Sequence, residues 1–336
     1  MKSKIRGLFV ALVFLCVLFP AISVRGADVV LLDQPLGAGL ESSREGKSGP
    51  GQGGGPTVVR QRTARLNADE IARVESAQSI ELQLFDDIRV NALREAVQKG
   101  RNGAFVWSGK IAGGENGRLV LSLRDAKVYA SIYLGFRTFQ IRPLEGGQAG
   151  GLSIVRELDT RKIERAGKES ATAGVAKLEM QLLPPDERKI IELVNLERST
   201  EGLPLLAYND KLATTARGHA QDMALHDYSS HDRRDGRKFW QSVFDSGYPI
   251  SKCGENIAVG PSKPEEIFEA LISSHDHRVN IMDPDFREIG VGHSVSPTGT
   301  LRHFWAQEFG AAGAKRARND TLSDSEKYAY KGQETP

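Results

Sequence analysis

Between residues 219 and 278 the chain reads His219-Ala220-Gln221-Asp222-Met223-Ala224, then Ser230-His231, Gly247-Tyr248, Gly254-Glu255-Asn256-Ile257-Ala258 and Ser274-His275-Asp276-His277-Arg278. The apolar residues around these motifs recur at helical spacing. Leu212, Ala216, His219, Ala220 and Met223 make one stripe of a helix predicted over about Asp210 to Leu225. Upstream, Pro184-Pro185-Asp186-Glu187 marks a helix start, with proline in the first turn and acids at the positive end of the dipole. Ile190, Leu193, Val194 and Glu197 then share a face. Downstream, Ser262-Lys263-Pro264-Glu265 has capping-box spacing and leads into Ile267, Phe268 and Leu271. Two closing strands are predicted over about Glu288 to Val295 and Leu301 to Phe309. Helices mixed with a few antiparallel strands predict a layered α+β unit. All seven histidines fall between positions 219 and 303, which concentrates the polar chemistry here.

Toward the N-terminus the period changes. From Val58 to about Leu158 apolar and polar residues alternate: Ile80, Leu82, Leu84; Leu119, Leu121, Leu123; Val128, Ala130, Ile132; Phe139, Ile141. Breaks such as Gly113 to Gly117 and Arg124-Asp125-Ala126-Lys127 separate the runs, so hairpins of a half-buried antiparallel sheet are expected, with one short helix over about Ala68 to Ser76. This stretch holds no histidine or cysteine and offers no catalytic constellation. The chain therefore divides into 1–26, a signal peptide; 27–56, a Gly/Pro/Ser-rich linker; 57–159, a β-rich domain; 160–182, a second linker; 183–313, the α+β domain; and 314–336, a polar tail. The signal peptide rests on Lys2, Lys4 and Arg6, the apolar run Leu8 to Ile22, and a cleavage site before Ala27. No later run is long enough for a membrane span, so a secreted, periplasmic or cell-envelope location is expected. With 45 basic against 43 acidic residues, nothing suggests a nucleic-acid partner. Only Cys253 remains after cleavage, so no intramolecular disulfide is expected.

To the motifs quoted above the chain adds Val194-Asn195-Leu196-Glu197-Arg198, Gly202-Leu203-Pro204-Leu205, Asp235-Gly236, Asn280-Ile281-Met282, Ile289-Gly290-Val291-Gly292 and Phe304-Trp305-Ala306-Gln307-Glu308-Phe309-Gly310. In number, order and spacing this set resembles the disulfide-free bacterial branch of the CAP superfamily (SCP domain), from about Pro184 to Gly313. The resemblance implies an α-β-α sandwich with a central cleft, in which two histidines and nearby acids can hold a divalent metal, commonly zinc. Carried onto this sequence, the histidines are His231 and His277 and one acid is Glu255; Asn256 and Gln307 join them as cleft residues. Two imidazoles and a carboxylate are sound zinc ligands that leave a position for water. The family usually places a second acid on the short helix after His231. Here Phe239-Trp240-Gln241-Ser242-Val243 puts Gln241 or Ser242 there, with Asp245 one turn further as a substitute. The β-rich region, through Trp107 to Lys110 and Leu152 to Asp159, is similar in layout to the pro-regions of some secreted bacterial metalloendopeptidases.

Three functions follow as expectations. In the first, the cleft binds a small molecule, lipid, peptide or partner surface, with or without metal. In the second, the domain is a metal-dependent hydrolase, peptidase-like, with Glu255 acting on a zinc-bound water. In the third, the protein is a structural or interaction part of the cell envelope. His219, on an apolar helical face, reads as a hydrogen-bonded core residue, His275 as exposed, and Cys253 as a buried thiol. No G-x-S-x-G elbow supports Ser229, Ser230 or Ser274 as a nucleophile.

Overall fold

The computed structural model describes residues 27–32, 57–100, 102–113, 116–144, 151–166, 180–297 and 302–313. The expected signal peptide, most of the first linker, residues 167–179 of the second and the polar tail lie outside the described residues.

The alternating stretch forms β2 (Val58–Arg65), β3 (Ser79–Phe85), β4 (Ile88–Lys99), β5 (Phe105–Ile111), β6 (Arg118–Arg124), β7 (Lys127–Leu134), β8 (Arg137–Pro143) and β9 (Leu152–Asp159), with a one-turn helix α1 (Ala68–Ile71). Asn67 caps α1, its side chain accepting from the Asp69 and Glu70 amides. The assignment of 27–56 to a linker is corrected at its start. Val29–Leu32 is β1, pairing parallel with β3. Val29, Leu31 and Leu32 are buried, and four apolar residues are enough for a short strand to cover the β3 edge.

The sheet order is β1-β3-β4-β5-β6-β7-β8-β9-β2, and all pairs except β1–β3 are antiparallel. Its two ends meet. Leu32 bridges Leu66, and the Asn67 amide donates to the Leu31 carbonyl at 3.0 Å. The sheet thus curls toward a barrel, which removes the exposed strand edges. Its interior is the apolar set foreseen from the alternation, packed around Trp107 and Phe139, and the Trp107 indole donates to the Ala77 carbonyl at 3.1 Å.

The C-terminal part forms α3 (Pro185–Thr200), β10 (Ala207–Tyr208), α4 (Asp210–His226), α5 (Phe239–Asp245), β11 (Ile250–Gly260), α6 (Pro264–Ser273), α7 (His275–Ile281), β12 (Glu288–Val295) and β13 (His303–Ala312). Four strands run in the order β10-β12-β13-β11, leaving β11 at one edge. α4 lies directly on the backbone of β12. A Cβ at Gly290 would meet the Ala213 nitrogen at 2.0 Å, and one at Gly292 the Ala216 carbonyl carbon at 2.3 Å. The other face packs Ile289, Val291, Trp305 and Phe309 against α3 and α6. The result is an α-β-α sandwich. The capping box expected at Ser262 is not formed: Lys263 is the N-cap of α6 and supplies no side-chain bond, because Pro264 at N1 already orders the first turn.

The barrel is not set apart from the sandwich. The outer faces of β6, β7 and β8 are small and polar, and α3 and α6 lie against them. Arg142 on β8 is buried between Glu197 of α3 at 2.9 Å and Glu269 of α6 at 2.8 Å. Ser131 donates to Glu269, Gln140 donates to Glu197, and the Ser122 and Ser273 hydroxyls meet at 2.9 Å. Tyr129 of the barrel belongs to the sandwich's own apolar core. Two domains joined by a loose linker therefore become two units sharing a buried interface. The second linker, 160–182, which reads as a linker with some helical tendency, begins with a short helix, α2 (Arg161–Ala166).

Candidate functional site

The site grows from one ladder pair. Glu255 in β11 stands opposite Glu308 in β13, and both are buried. Two carboxylates side by side without water repel strongly, so one of them must be neutralised. Arg233, from the loop between α4 and α5, sits between them, 2.9 Å from Glu255 Oε2 and 3.2 Å from Glu308 Oε1. His219, on the apolar stripe of α4, places Nδ1 2.8 Å from Glu255 Oε2, and His231 places Nδ1 2.8 Å from Glu255 Oε1. Arg233 also touches His219 Nδ1 at 2.6 Å and the His231 carbonyl at 3.1 Å.

The electrostatics divide the two acids. Burial alone would raise the Glu255 carboxyl. Hydrogen bonds from His219 and His231 and the charges of His219 and Arg233 overcome it, holding Glu255 well below the usual carboxylate range. Burial, then the Glu255 charge, push Glu308 well above that range, and Arg233 offsets only part. The negative charge of the cluster therefore rests preferentially on Glu255, balanced by Arg233, and Glu308 is the acid that holds a proton more readily.

His277 stands in the first turn of α7, which packs near β11, the strand at the sheet edge. Asn256 donates to the His277 carbonyl at 3.1 Å and to Gln307 Oε1 at 2.9 Å. Asn280 donates to Asn256 Oδ1 at 2.9 Å and to the Glu255 carbonyl at 3.2 Å. Asn256, Gln307 and Asn280 therefore tie α7 to β11. Gly254 permits this approach, since a Cβ there would lie 2.8 Å from Asn280 Oδ1. His277 Nδ1 is buried without a hydrogen-bond partner. Burial first, then the charges of His231 and Arg124, push its pKa down to about 4, so the ring is neutral at physiological pH.

Beside the cluster lies a cleft of about 460 Å³, walled by Thr215 and Asp222 of α4, Arg233 and Arg237 of the following loop, and Ser242 of α5. His219 also lines it, and His219 Nε2 is buried without a partner. Ser242 thus occupies the wall at the position where the resemblance expects an acid. Gln241 is spent on the backbone, its Oε1 accepting from the Lys238 amide at 2.7 Å. Asp245 does not replace the acid: it is exposed and pairs with Arg237 at 3.3 Å.

Fitness for a metal differs between two places. Among the described residues, His219, Glu255 and Glu308 bring ligand atoms within 4.8 Å of one another. That group does not suit a divalent cation, because Arg233 already supplies the positive charge and contacts all three. The pair His231 and His277 suits one better. Glu255 fixes the His231 ring through Nδ1, the arrangement that orients metal-binding histidines, and His277 is neutral with an unspent buried nitrogen. Glu255 itself is then the orienting group rather than a ligand. Its depressed pKa also makes it a weak base, which counts against the hydrolase expectation.

His275 is exposed. Burial pushes the Cys253 thiol far up, as an inert core thiol requires. The sequence reading missed Arg233 and Glu308 as members of the site. The available signal was Glu308 itself, an acid in the apolar run Phe304 to Phe309.

Residues 191–309 match the family described as CAP, Cysteine-rich secretory protein family. Uncharacterized protein YkwD of Bacillus subtilis (strain 168) is 36% identical over 123 residues, covering 37% of this chain and 46% of the relative. Uncharacterized membrane protein YlbC of the same organism is 28% identical over 106 residues, covering 32% and 31%. The chain thus spans less than half the length of either relative. Among solved structures, an extracellular protein containing a SCP domain from Bacillus anthracis str. Ames is similar at 19% identity, over 64% of this chain and 88% of that one, with a TM-score of 0.34. A cysteine-rich secretory protein from Staphylococcus aureus subsp. aureus Mu50 is similar at 13% identity, over 64% and 85%, with a TM-score of 0.35. The family match begins at Ile191, so it does not reach the barrel.

Proposed function

We propose that the C-terminal CAP-superfamily domain of this chain is an extracytoplasmic binding module, with the cleft beside Glu255 as its ligand site and His231 and His277 as the holders of a divalent metal. The observation that carries this reading is that the Glu255 cluster is neutralised from within. Glu255 is committed to His219, His231 and Arg233, and Glu308 to Arg233, so the acids form a fixed floor rather than a reacting pair. The cleft above offers placed polar atoms on His219, Arg233 and Ser242 to a small molecule, a peptide or a partner's side chain. A zinc ion on the two histidines would supply an electrophilic position for a ligand oxygen or nitrogen. Glu255 orients His231, while Asn256 and Asn280 keep α7, and with it His277, in place. The extracytoplasmic setting is supported by the basic start and apolar run of residues 2–22. Among the described residues no helix is long and apolar enough to cross a membrane.

The test is zinc calorimetry on the full chain beside the His231→Ala/His277→Ala double variant. One zinc on the wild type and none on the variant is expected. Absence of binding to the wild type removes the metal from the reading. Turnover of a peptide and ester panel by the zinc-loaded wild type, lost in the double variant, would overturn the binding-module reading in favour of the hydrolase.

A further inference from the structure

One strand of the barrel reaches toward the turn that carries His277. β6 runs along α6 in the same direction as the helix. Near the start, Arg118 contacts Glu266 at 3.3 Å; near the end, Ser122 meets Ser273 at 2.9 Å. Side chains two apart on a strand share a face and lie about 6–7 Å apart along it. Arg124, two residues past Ser122, is therefore carried beyond the end of α6 to the first turn of α7, where His277 stands. The charge of Arg124 does reach His277, being one of the causes that depress that imidazole.

Three features mark Arg124 as more than packing. Its Nε is buried without a hydrogen-bond partner, although Arg118 on the same strand has Glu95 and Glu266. Arg124 itself makes no ion pair among the described residues. It also leads into a tight turn in which Asp125 and Ala126 both adopt positive φ, 50° and 55°, without glycine. Non-glycine residues held in the left-handed region persist where the surrounding structure needs the chain in that place. A buried donor without an acceptor, close to the first turn of α7, is a ready position for an anion.

We propose that the ligand site is a composite of both units, in which Arg124 of the barrel binds an anionic group, a carboxylate or a phosphate, of the molecule held at His231 and His277. This rests on the binding-module reading and gives its ligand a charge class. It also gives the barrel a role in recognition.

The experiment follows the His277 ring by NMR while metal-free full-length protein is titrated with inorganic phosphate and, separately, with acetate. Wild type, Arg124→Gln and Arg124→Lys are compared, with Arg118→Gln as a control for charge on the same strand. A saturable shift of the His277 signals is expected with at least one of the two anions. Arg124→Gln should weaken it about tenfold or more, and Arg124→Lys, which keeps the charge but lacks the Nε donor, by less, while Arg118→Gln stays within about threefold of wild type. Which of the two anions binds separates phosphate-bearing from carboxylate-bearing ligands. Absence of a saturable shift with either anion, or equal affinity in wild type and Arg124→Gln, overturns the proposal. The outcome is distinguishable from that of the zinc experiment. Anion binding without zinc binding removes the metal and keeps Arg124, and zinc binding with an unaltered Arg124→Gln titration does the reverse.

Discussion

Glu255 and Glu308 face each other across one ladder position, yet they should answer mutation in opposite ways. Glu255 is the charged acid that balances Arg233 and accepts from His219 and His231, so Glu255→Gln removes the charge that these groups share and forces Glu308 to ionise in a buried position in its place. A loss of about 3–5 kcal/mol is expected in urea unfolding at pH 7. Glu308 is the acid that burial and the Glu255 charge favour in its neutral form, and glutamine copies that form's shape, so Glu308→Gln should cost under about 1 kcal/mol. The reverse ranking would mean that the proton sits on the other acid. Cys253 gives a second check at this scale: its thiol, buried and pushed up, should resist a thiol reagent at pH 8 until the protein is unfolded. Legibility in the sequence follows the same physics. His231, Glu255 and His277 were readable because a family pattern holds them at fixed spacing. His219 was readable as a buried, hydrogen-bonded core residue, but not as a neighbour of Glu255. A helical stripe says which way a side chain points, not what it meets across the layer. Arg233 was hidden because a loop arginine beside Arg234 looks like solvated charge, and only the fold turns it inward.

At the scale of elements, periodicity carried most of the prediction. The helix foreseen from Asp210 to Leu225 is α4, Asp210–His226, and the strand foreseen over Glu288 to Val295 is β12 with those same bounds. What periodicity cannot show is how closely two elements approach. Gly290 and Gly292 read as part of a motif, but their use is to let α4 rest on the backbone of β12. Because the obstructing atoms are backbone, the helix must move to admit a methyl group. Gly290→Ala and Gly292→Ala should each destabilise by about 1–3 kcal/mol or more, seen as a lower thermal midpoint. Ser262 gives the opposite expectation. It sits at a capping-box position, yet Lys263 is the N-cap, so Ser262→Ala should change stability by less than about 0.5 kcal/mol. β1 went unread for a related reason. Val29–Leu32 is too short for a period, and its value lies only in the β3 edge that it covers, which is 50 residues away in the chain.

For the whole molecule, the interface between barrel and sandwich was the least legible part, because polar residues on a strand's outer face normally mean solvent. Here Ser122, Ser131, Gln140 and Arg142 face helices instead. Cutting the chain between α2 and α3 at an inserted protease site should therefore leave the two pieces together on gel filtration. The interface should also depend on pH. Arg142 serves two carboxylates; Ser131, Gln140 and Tyr133 also face them, and Arg156 and Arg278 add positive charge near Glu197. Glu197 is held below its ordinary value, the Arg142 charge and hydrogen bond outweighing burial. Glu269 is pushed up to about 7, with burial the largest cause. A carboxyl raised in the folded state binds a proton that the unfolded chain gives up near pH 4.5. Stability from Glu269 is therefore lost as pH rises from about 4.5 through about 7, and is constant above that. Glu197 acts in the other sense, losing its contribution only below about pH 4.5, so the two together favour mildly acidic solution. In urea unfolding, the stability of the wild type relative to Glu269→Gln should be greater at pH 5.5 than at pH 8 by about 1–2 kcal/mol, a comparison that cancels groups such as His277 that titrate in the opposite sense. Glu269→Gln is the reference because it is uncharged throughout while keeping the hydrogen bond from Ser131. A wild-type profile that Glu269→Gln leaves unchanged would place the titrating group elsewhere.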